Sequence, residues 1–274
     1  MAYERPGESP IDYQQCRYGS SKLLFRGPKK DTKKRYCAFI GGTETFGKYI
    51  VQPFPEIVEK ELGLPCVNLG AVNGGIDAFV NDESILSLCN EAEFTVVQIM
   101  GAHNMSNRFY SVHPRHNDRF LKASTLMSTV FREVDFTEFA FTRHMLVSLR
   151  AASPEKFGVL EQELKTAWLA RMDLLLKRVS GKVILLWASD RSPDDEEAGP
   201  DLGVDPLFVD RDMLEKITPR AHRFVEVVTP DEVKGLGTKG MMFPPMEAAA
   251  AEHVPGPAFH GLVAARLLQA IQDK

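Results

Sequence analysis

Residues 36–48 of this 274-residue chain read YCAFIGGTETFGK, and this stretch decides the fold class. It begins with an apolar and aromatic run, Tyr36 to Ile40, and continues directly into Gly41 and Gly42. A short apolar run that ends on glycine is typical of a strand buried on both faces. Comparable runs follow at residues 66–69, 94–100, 183–187 and 224–228. The pattern therefore predicts five buried strands.

Segments with apolar residues at helical spacing separate these strands. The predicted helices cover residues 54–62, 76–90, 119–130, 136–149, 154–179 and 258–272. Buried strands that alternate with helices imply a parallel sheet covered on both faces. We therefore predict an α/β fold, a three-layer α/β/α sandwich around a mostly parallel five-stranded sheet of the flavodoxin type. A helical insertion is expected at about residues 105–180. The polar residues 1–34 are expected to form an N-terminal arm and residues 35–274 a single domain.

The composition excludes several classes of protein. The chain has 37 acidic and 33 basic side chains and a net charge of −4, which argues against a nucleic-acid-binding protein. No apolar run approaches the roughly 20 residues that a membrane span needs, and the first residues lack the apolar core of a signal peptide. The four cysteines form no CxxC pair, so we expect reduced thiols, a cytoplasmic protein and no metal site. No cofactor is predicted.

The carboxyl ends of the first three predicted strands carry glycines beside polar residues. The three segments are residues 41–45, 68–75 and 101–104. In open parallel sheets, ligands bind at this edge, and glycine lets main-chain N–H groups approach a ligand or a developing anion. The pattern predicts a ligand site at the ends of the first and third strands, with tight turns alone as the alternative.

In their order along the chain, these blocks resemble those of the SGNH (GDSL-type) hydrolases. That family has strands ending in Gly-Asp-Ser, near a glycine, and in Gly-x-Asn-Asp, and it has an Asp-x-x-His before its last helix. The matching positions here are Gly41-Gly42-Thr43, Asn68-Leu69-Gly70, Gly101-Ala102-His103-Asn104 and Ala250-Ala251-Glu252-His253. Gly42-Thr43 thus stands where the family has Asp-Ser, and Ala250 stands where it has the aspartate of its catalytic triad.

The chain as a whole resembles an uncharacterised alphaproteobacterial family, the domain of unknown function numbered 6473. The shared phrases are GGTETFGK (41–48), VNLGAVNGG (67–75), SNRFYSVHPRHNDRF (106–120) and EVDFTEFAFTRHML (133–146). This likeness spans most of the chain and implies no particular activity.

The SGNH resemblance implies a role for several side chains. Thr43 would be the nucleophile and His253 the base that activates its hydroxyl. Asn104 and the N–H of Gly70 would stabilise the oxyanion, and Arg108 would orient the substrate. The other predicted oxyanion or substrate-binding residues are Gly42, Thr45, His103 and Ser111. The alternatives are that the hydroxyl of Thr43 caps a helix and that His253 is a surface residue.

Two other motifs overlap these positions. Residues 42–48 fit the phosphate-loop pattern G-x-x-x-x-G-K, with Tyr49 where that pattern has Ser or Thr. Arg108 and Ser111 resemble the residues with which sulfotransferases hold a 3′-phosphate, with His103 in place of the leading arginine of that motif. The alternatives are therefore an NTP site and a sulfotransferase-like enzyme with a 3′-phosphonucleotide donor.

Cationic and titratable side chains are concentrated at residues 107–119. They are Arg108, His113, Arg115, His116 and Arg119. Such a group after a strand predicts a clamp for an anion. The alternative is a network of salt bridges with the acidic residues Asp118, Glu133, Asp135 and Glu138. An anionic small molecule is thus the favoured ligand.

The function predicted from these features is an SGNH-like hydrolase or acyl transferase acting on a small polar or anionic ester or a glycan. The sulfotransferase-like enzyme and a catalytically inactive α/β binding module are the alternatives. Residues 234–245, KGLGTKGMMFPP, would form a lid over the site or a surface for a partner subunit. We expect a small-molecule substrate and no nucleic acid or membrane span, with a homo-oligomer left open.

Overall fold

The computed structural model describes residues 10–195 and 201–273. Within them the strands are β1 (Cys37–Gly41), β2 (Cys66–Gly70), β3 (Thr95–Gln98), β4 (Tyr110–Val112), β5 (Phe120–Ala123), β6 (Val183–Ser189) and β7 (Arg223–Val228). The α-helices are α1 (Thr43–Phe46), α2 (Phe54–Leu62), α3 (Glu83–Glu91), α4 (Thr125–Val130), α5 (Thr142–Ala152), α6 (Pro154–Arg178), α7 (Arg211–Ile217), α8 (Asp231–Lys234), α9 (Ala248–Ala251) and α10 (Pro257–Gln272).

One parallel sheet of five strands has the order β2-β1-β3-β6-β7. Its register places Gly41 beside Gly70 and Ile40 beside Val97, so the glycine-bearing ends of β1 and β2 are level. The predicted α/β fold with a five-stranded sheet of the flavodoxin type is confirmed. The sheet is parallel throughout, and each of its strands lies within two residues of its predicted bounds.

Alternate residues of the strands belong to two apolar cores, one on each side of the sheet. Ala38 and Ile40 lie in the core that also holds Trp168 of α6. Cys37 and Phe39 lie in the core that α2 and α10 fill from the other side. Because side chains alternate along a strand, burial of both sets requires β1 to be apolar at every position. Helices therefore cover both faces of the sheet, as the three-layer prediction requires.

The first part of the region 105–180 is a β-hairpin, and the prediction of a helix from residue 119 is wrong there. β4 and β5 pair antiparallel, with Tyr110 opposite Ala123. The rings of Tyr110 and Phe120 are buried, with their centroids 6.3 Å apart. The contact between these two rings fastens the hairpin, and helical structure begins only at α4.

Helix starts elsewhere follow the capping residues. The predicted helix over 76–90 divides into a 3₁₀ turn at Ile76–Ala78 and α3. Asp82 caps α3, because its carboxylate accepts hydrogen bonds from the N–H groups of Ser84 and Ile85. In the described part of the chain, no helix combines the length and the apolar character needed to cross a bilayer.

α6, which is 25 residues long, is fastened to the edge of the sheet that carries the predicted site. Ser153 caps the helix by accepting a hydrogen bond from the N–H of Lys156, and Pro154 occupies the first position, where a missing N–H does no harm. Trp168 is fully buried and donates its Nε1–H to the main-chain oxygen of Met100 at 2.8 Å. Met100 lies just beyond β3, so this bond holds the start of the loop after β3.

The described part of the N-terminal segment packs on the rest of the molecule. Phe25 is fully buried, and the guanidinium of Arg26 donates hydrogen bonds to the main-chain oxygens of Gly47 and Val51, each at 2.8 Å. The same guanidinium pairs with Glu56 of α2. These contacts fix the chain that follows α1, next to the predicted site.

Candidate active site

The carboxyl ends of β1 and β3 meet where the strand order reverses. In the sheet, β2 lies on one side of β1 and β3 lies on the other. The edge at the carboxyl ends of β1 and β3 is therefore a topological switch point, which is the usual place for a ligand. Two adjoining cavities open there, which we call the crevice, of about 80 Å³, and the cleft, of about 700 Å³. The residues that line both are Thr43, Glu44, Asn73, His103, Asn104 and Asp205.

Thr43 lies at the junction of the two cavities. It is the first residue of α1, and Gly42 takes the N-cap position, so the capping role considered for Thr43 belongs to its neighbour. The Thr43 hydroxyl donates a hydrogen bond to Asn73 Oδ1 at 3.2 Å and accepts one from the Asn73 N–H at 2.9 Å. Asn73 in turn donates from Nδ2 to Asp118 Oδ2 at 3.1 Å. The hydroxyl is thus held in a chain of three side chains.

Gln98, at the end of β3, lines the crevice, and its side-chain amide is hydrogen-bonded to three residues of the turn after β1. Its Oε1 accepts hydrogen bonds from the N–H of Gly42 at 3.1 Å and from the hydroxyl of Thr45 at 2.5 Å. Its Nε2 donates to Glu44 Oε2 at 2.7 Å. Gly41 must be glycine here, because a Cβ at that position would lie 2.0 Å from Thr45 Oγ1. One buried amide therefore holds the whole turn from Gly42 to Thr45.

We expect Gln98→Leu to lower the free energy of unfolding by about 3 kcal/mol, because a buried polar group left without a partner costs about 1–3 kcal/mol. The substitution leaves the Gly42 N–H and the Thr45 hydroxyl without their acceptor. Urea denaturation measures the change. Gln52→Leu is the matched control, because Gln52 is exposed and exposed substitutions usually stay within about 0.5 kcal/mol. Equal effects of the two substitutions would contradict the role of Gln98.

Glu44 brings a carboxyl group into both cavities, and sequence reasoning did not select it. Burial raises the pKa of Glu44 above its usual range, and the nearby charges of Asp205 and Asp190 act in the same direction. The hydrogen bond from Gln98 opposes this shift of the pKa. A carboxyl group with a raised pKa at a strand end is the kind of group that marks functional sites.

His103 is a predicted substrate-binding residue, and the structure places it in both cavities. Only 5% of its surface is exposed, and its Nδ1 has no hydrogen-bond partner among the described residues. Nδ1 lies 3.7 Å from Asp205 Oδ1, which is longer than a hydrogen bond. Burial lowers the pKa of His103, and the charge of Arg143 lowers it further, while the charges of Asp205 and Asp118 raise it. Burial therefore favours the neutral form of the imidazole.

Asp205, a site residue that sequence reasoning missed, is supplied by the loop that follows β6. Arg191 is buried and donates hydrogen bonds to the main-chain oxygens of Val204 and Val209, which clamps this loop. Ser189 Oγ also donates to the main-chain oxygen of Asp205 at 2.6 Å. The carboxylate itself accepts from the N–H of Leu207 at 3.2 Å. No motif in the sequence marks this position.

Asn104 and His253, two of the predicted catalytic residues, both line the cleft with Thr43. Asn104 Oδ1 accepts a hydrogen bond from the Thr142 hydroxyl at 2.7 Å, which orients the amide. His253 is exposed, and its side chain makes no hydrogen bond or ion pair with any residue that the structure describes. Ala250, at the position of the missing aspartate, also lines the cleft. The structure thus brings the three residues to one cavity.

The predicted glycine and threonine positions lie deeper in the turn. Gly42 lines the crevice, but its N–H is bonded to Gln98. Thr45 is buried beneath the crevice. The N–H of Gly70 is bonded to Asn68 Oδ1 at 2.9 Å, and a Cβ on Gly70 would lie 2.2 Å from the main-chain nitrogen of Phe46. The Gly70 N–H is therefore not available to an oxyanion in this conformation, and this glycine serves the packing of α1 on β2.

Arg108 and Ser111 do not reach either cavity, which corrects the expectation of a cationic clamp. The guanidinium of Arg108 pairs with Glu163 of α6, a side chain only 6% exposed. Ser111 Oγ is buried with no partner among the described residues. Of residues 107–119, only Asp118 lines the cleft. The sulfotransferase motif is therefore not assembled at this site.

The two basic side chains that line the cleft, Lys48 and Arg143, are already paired, and acidic side chains outnumber them. Arg143 pairs with Asp205 and donates to the main-chain oxygen of Gly203, and Lys48 pairs with Glu247 at 3.2 Å. The acidic residues that line the cleft are Glu44, Asp118, Asp201 and Asp205. Within the described residues, no three His, Cys, Asp or Glu side chains are grouped as metal ligands. The placement favours a polar ligand with hydrogen-bond donors over the anion that the sequence suggested.

Known proteins resemble this chain in two ways. A family model described as a domain of unknown function, DUF6473, matches residues 1–274. No curated protein matches the sequence.

Solved structures provide the second resemblance. A family two carbohydrate esterase from Clostridium thermocellum, in complex with cellohexaose, is similar at 13% identity and a TM-score of 0.46, over 91% of this chain and 66% of that one. A lipase from a goat rumen metagenome aligns at 10% identity and a TM-score of 0.43, over 86% of this chain and 97% of that one. A salicylyl-acyltransferase from a tetracycline biosynthetic pathway aligns at 10% identity and a TM-score of 0.37, over 89% and 57% of the two chains.

Proposed function

We propose that this chain, which belongs to the DUF6473 family, is an SGNH-like hydrolase or acyl transferase whose Thr43 hydroxyl attacks the carbonyl of a small polar ester. The observation that carries the proposal is that the Thr43 hydroxyl, the Asn104 amide and two candidate imidazoles, those of His103 and His253, line one cleft at the switch point of the sheet. These residues come from three distant segments of the sequence. A hydroxyl, an amide and an imidazole are the groups that acyl transfer requires.

The chemistry starts from the hydroxyl of Thr43. An imidazole accepts its proton as the oxygen forms a bond to the acyl carbon, and the tetrahedral oxyanion accepts hydrogen bonds. Asn104 Nδ2 is one donor. The intermediate then expels the alcohol, and water or a second alcohol releases the acyl group. The bonds between Thr43 and Asn73 must open for the attack.

The substrate class follows from the lining of the cleft. Its volume of about 700 Å³ suits a ligand of the size of a disaccharide or a drug-like molecule. Its carboxylates accept hydrogen bonds from hydroxyl groups, and its cations are already paired within the protein. We therefore propose an acyl ester of a polyhydroxylated alcohol, such as a glycan, rather than an anionic ester.

A panel of esters and an active-site label test the proposal. We expect hydrolysis of p-nitrophenyl acetate and of acetylated sugars, and we expect a fluorophosphonate to modify Thr43, as peptide mass spectrometry would show. Modification of another residue, or no hydrolysis across the panel together with no labelling, would count against an acyl-transfer enzyme.

A second candidate, the inactive binding module, is favoured by two observations. The Thr43 hydroxyl is bonded to Asn73 rather than to an imidazole, and Ala250 supplies no carboxylate. Such a module binds acetylated sugars without releasing acetate. Isothermal titration calorimetry with the same sugars, together with the acetate assay, separates binding from turnover.

A further inference from the structure

We infer that His103 and Asp205 form the imidazole–carboxylate pair that accepts the proton of the Thr43 hydroxyl, in place of His253 and the aspartate that position 250 lacks. The inference rests on the proposed function and assigns the base within it. An imidazole base works well when a carboxylate fixes its tautomer and orientation and when it is shielded from water. Three histidines line the cleft with Thr43. His144 is exposed and its ring packs edge-on against Phe139, so the comparison on these terms is between His253 and His103.

His253 meets neither requirement in this structure. Its side chain is exposed and makes no hydrogen bond or ion pair with the residues that the structure describes. The segment before it is held to the body chiefly through Glu247, which accepts a hydrogen bond from the Tyr49 hydroxyl and pairs with Lys48. The imidazole at the end of this segment therefore has no orienting partner.

His103 is shielded from water and has a carboxylate close to its Nδ1. It is buried, and its main-chain oxygen accepts a hydrogen bond from the Tyr110 hydroxyl at 2.6 Å, which holds the residue in place. Nδ1 faces Asp205 Oδ1 at 3.7 Å and has no other partner among the described residues. A buried nitrogen without a hydrogen-bond partner is unfavourable, so a small closure that makes this hydrogen bond is favourable.

The surrounding chain is built to accommodate the pair. A Cβ at Gly101 would lie 2.7 Å from His103 Nδ1 and 2.9 Å from Asp205 Oδ1, so only glycine leaves room for the two side chains to approach. Arg143 holds the second carboxylate oxygen of Asp205 at 3.4 Å. Tyr110 thus holds the main chain of His103, and Arg143 holds the carboxylate of Asp205.

The proton balance is simple. With the Nδ1–H directed to Asp205, the free electron pair of the neutral ring is on Nε2, which takes the Thr43 proton as the oxygen–acyl bond forms. The imidazolium then returns the proton to the departing alkoxide. Burial lowers the pKa of the ring, the charges of Asp205 and Asp118 raise it, and the charge of Arg143 lowers it, with a net shift below the usual value.

The first test is kinetic, with p-nitrophenyl acetate as the probe. We expect His103→Gln to lower kcat/KM by about 10³-fold, within the range for loss of a general base, and Asp205→Asn to lower it by about 10²-fold with a shifted acidic limb of the pH profile. His253→Gln is expected to lower kcat/KM far less than His103→Gln does, because its ring has no orienting partner. His116→Gln is the control, because that ring is exposed outside both cavities. A loss of 10²-fold or more in His253→Gln, with His103→Gln close to wild type, would overturn the inference.

The second test does not depend on turnover. NMR of ¹⁵N-histidine-labelled protein, with the His103 signals assigned from the His103→Gln spectrum, reports the tautomer of the ring at pH 7. We expect the proton on Nδ1 in the wild type and a shift toward Nε2 in Asp205→Asn. A proton on Nε2 in the wild type, or no response to Asp205→Asn, overturns the pair. If the pair is seen by NMR but Thr43 neither turns over nor reacts with the label, the proposed acyl transfer fails while the pairing of the two side chains stands.

Discussion

Thr43→Ala is expected to lower kcat/KM for acyl-ester hydrolysis by at least about 10³-fold, whereas Thr43→Ser is expected to retain or raise it. The alanine variant lacks the only hydroxyl, among the described residues, that lines both the crevice and the cleft. Removal of a catalytic nucleophile costs several orders of magnitude, with residual activity supplied by binding and oxyanion stabilisation. Serine keeps the oxygen and removes the methyl group that crowds its attack. Initial rates with p-nitrophenyl acetate measure both effects.

The control for this comparison is Thr125→Ala, because Thr125 is exposed on α4 and outside both cavities. It should leave the rate unchanged. Folding of each variant is checked by urea denaturation, since Thr43 also bonds to Asn73 and its loss alters the loop after β2. An alanine variant that folds and keeps more than a tenth of the activity would show that another group is the nucleophile.

The strand ends could be predicted from the sequence because they depend on the order of apolar residues and glycines within a few positions. Apolar runs closed by glycine located β1, β2 and β3, and parallel pairing then brings their carboxyl ends to one edge. This is why Thr43, His103 and Asn104 were found from the sequence and line the same cavities. The prediction of a helix over 119–130 is wrong at its start, because the first residues form β5. The pairing of β5 with β4 cannot be inferred from the spacing of apolar residues.

The rest of the site depends on contacts between distant segments. Asp205 follows no motif, and it reaches His103 because β6 lies beside β3 and Arg191 clamps the intervening loop. Arg108 illustrates the reverse case. Its position after β3 suggested a ligand, but the buried carboxylate of Glu163 on α6 takes its guanidinium. For Arg108 the structure agrees better with the alternative prediction, a network of salt bridges. Its partner is Glu163, however, and not one of the four acidic residues expected from the sequence.

His260 is expected to make the protein less stable as the pH falls below about 6.5. The ring is fully buried between α2 and α10, its Nδ1 accepts a hydrogen bond from the Phe54 N–H at 3.2 Å, and it stacks on the Phe54 ring. Burial, with a smaller contribution from the charge of Arg26, lowers the pKa of His260 to about 3. In the unfolded chain the pKa is about 6.5.

The sign of the effect follows from proton binding. Between pH 6.5 and pH 3 the unfolded chain binds a proton at His260 that the folded protein does not. The free energy of unfolding therefore decreases as the pH is lowered. The stability is fully present above pH 6.5, and the loss has a limiting slope of about 1.4 kcal/mol per pH unit. By pH 5 it amounts to about 2 kcal/mol. Urea denaturation at pH 7.5 and pH 5 measures it.

The effect of this one residue is isolated with His260→Phe. Phenylalanine keeps the stacking on Phe54 and cannot be protonated, but it lacks the acceptor for the Phe54 N–H and is less stable than the wild type at pH 7.5. We therefore expect the difference between the two proteins to shrink by about 2 kcal/mol from pH 7.5 to pH 5. His222→Gln is the control, because His222 is exposed, and its difference from the wild type should stay constant. If the His260→Phe difference also stays constant over this range, the ring of His260 is not held neutral by its burial between α2 and α10.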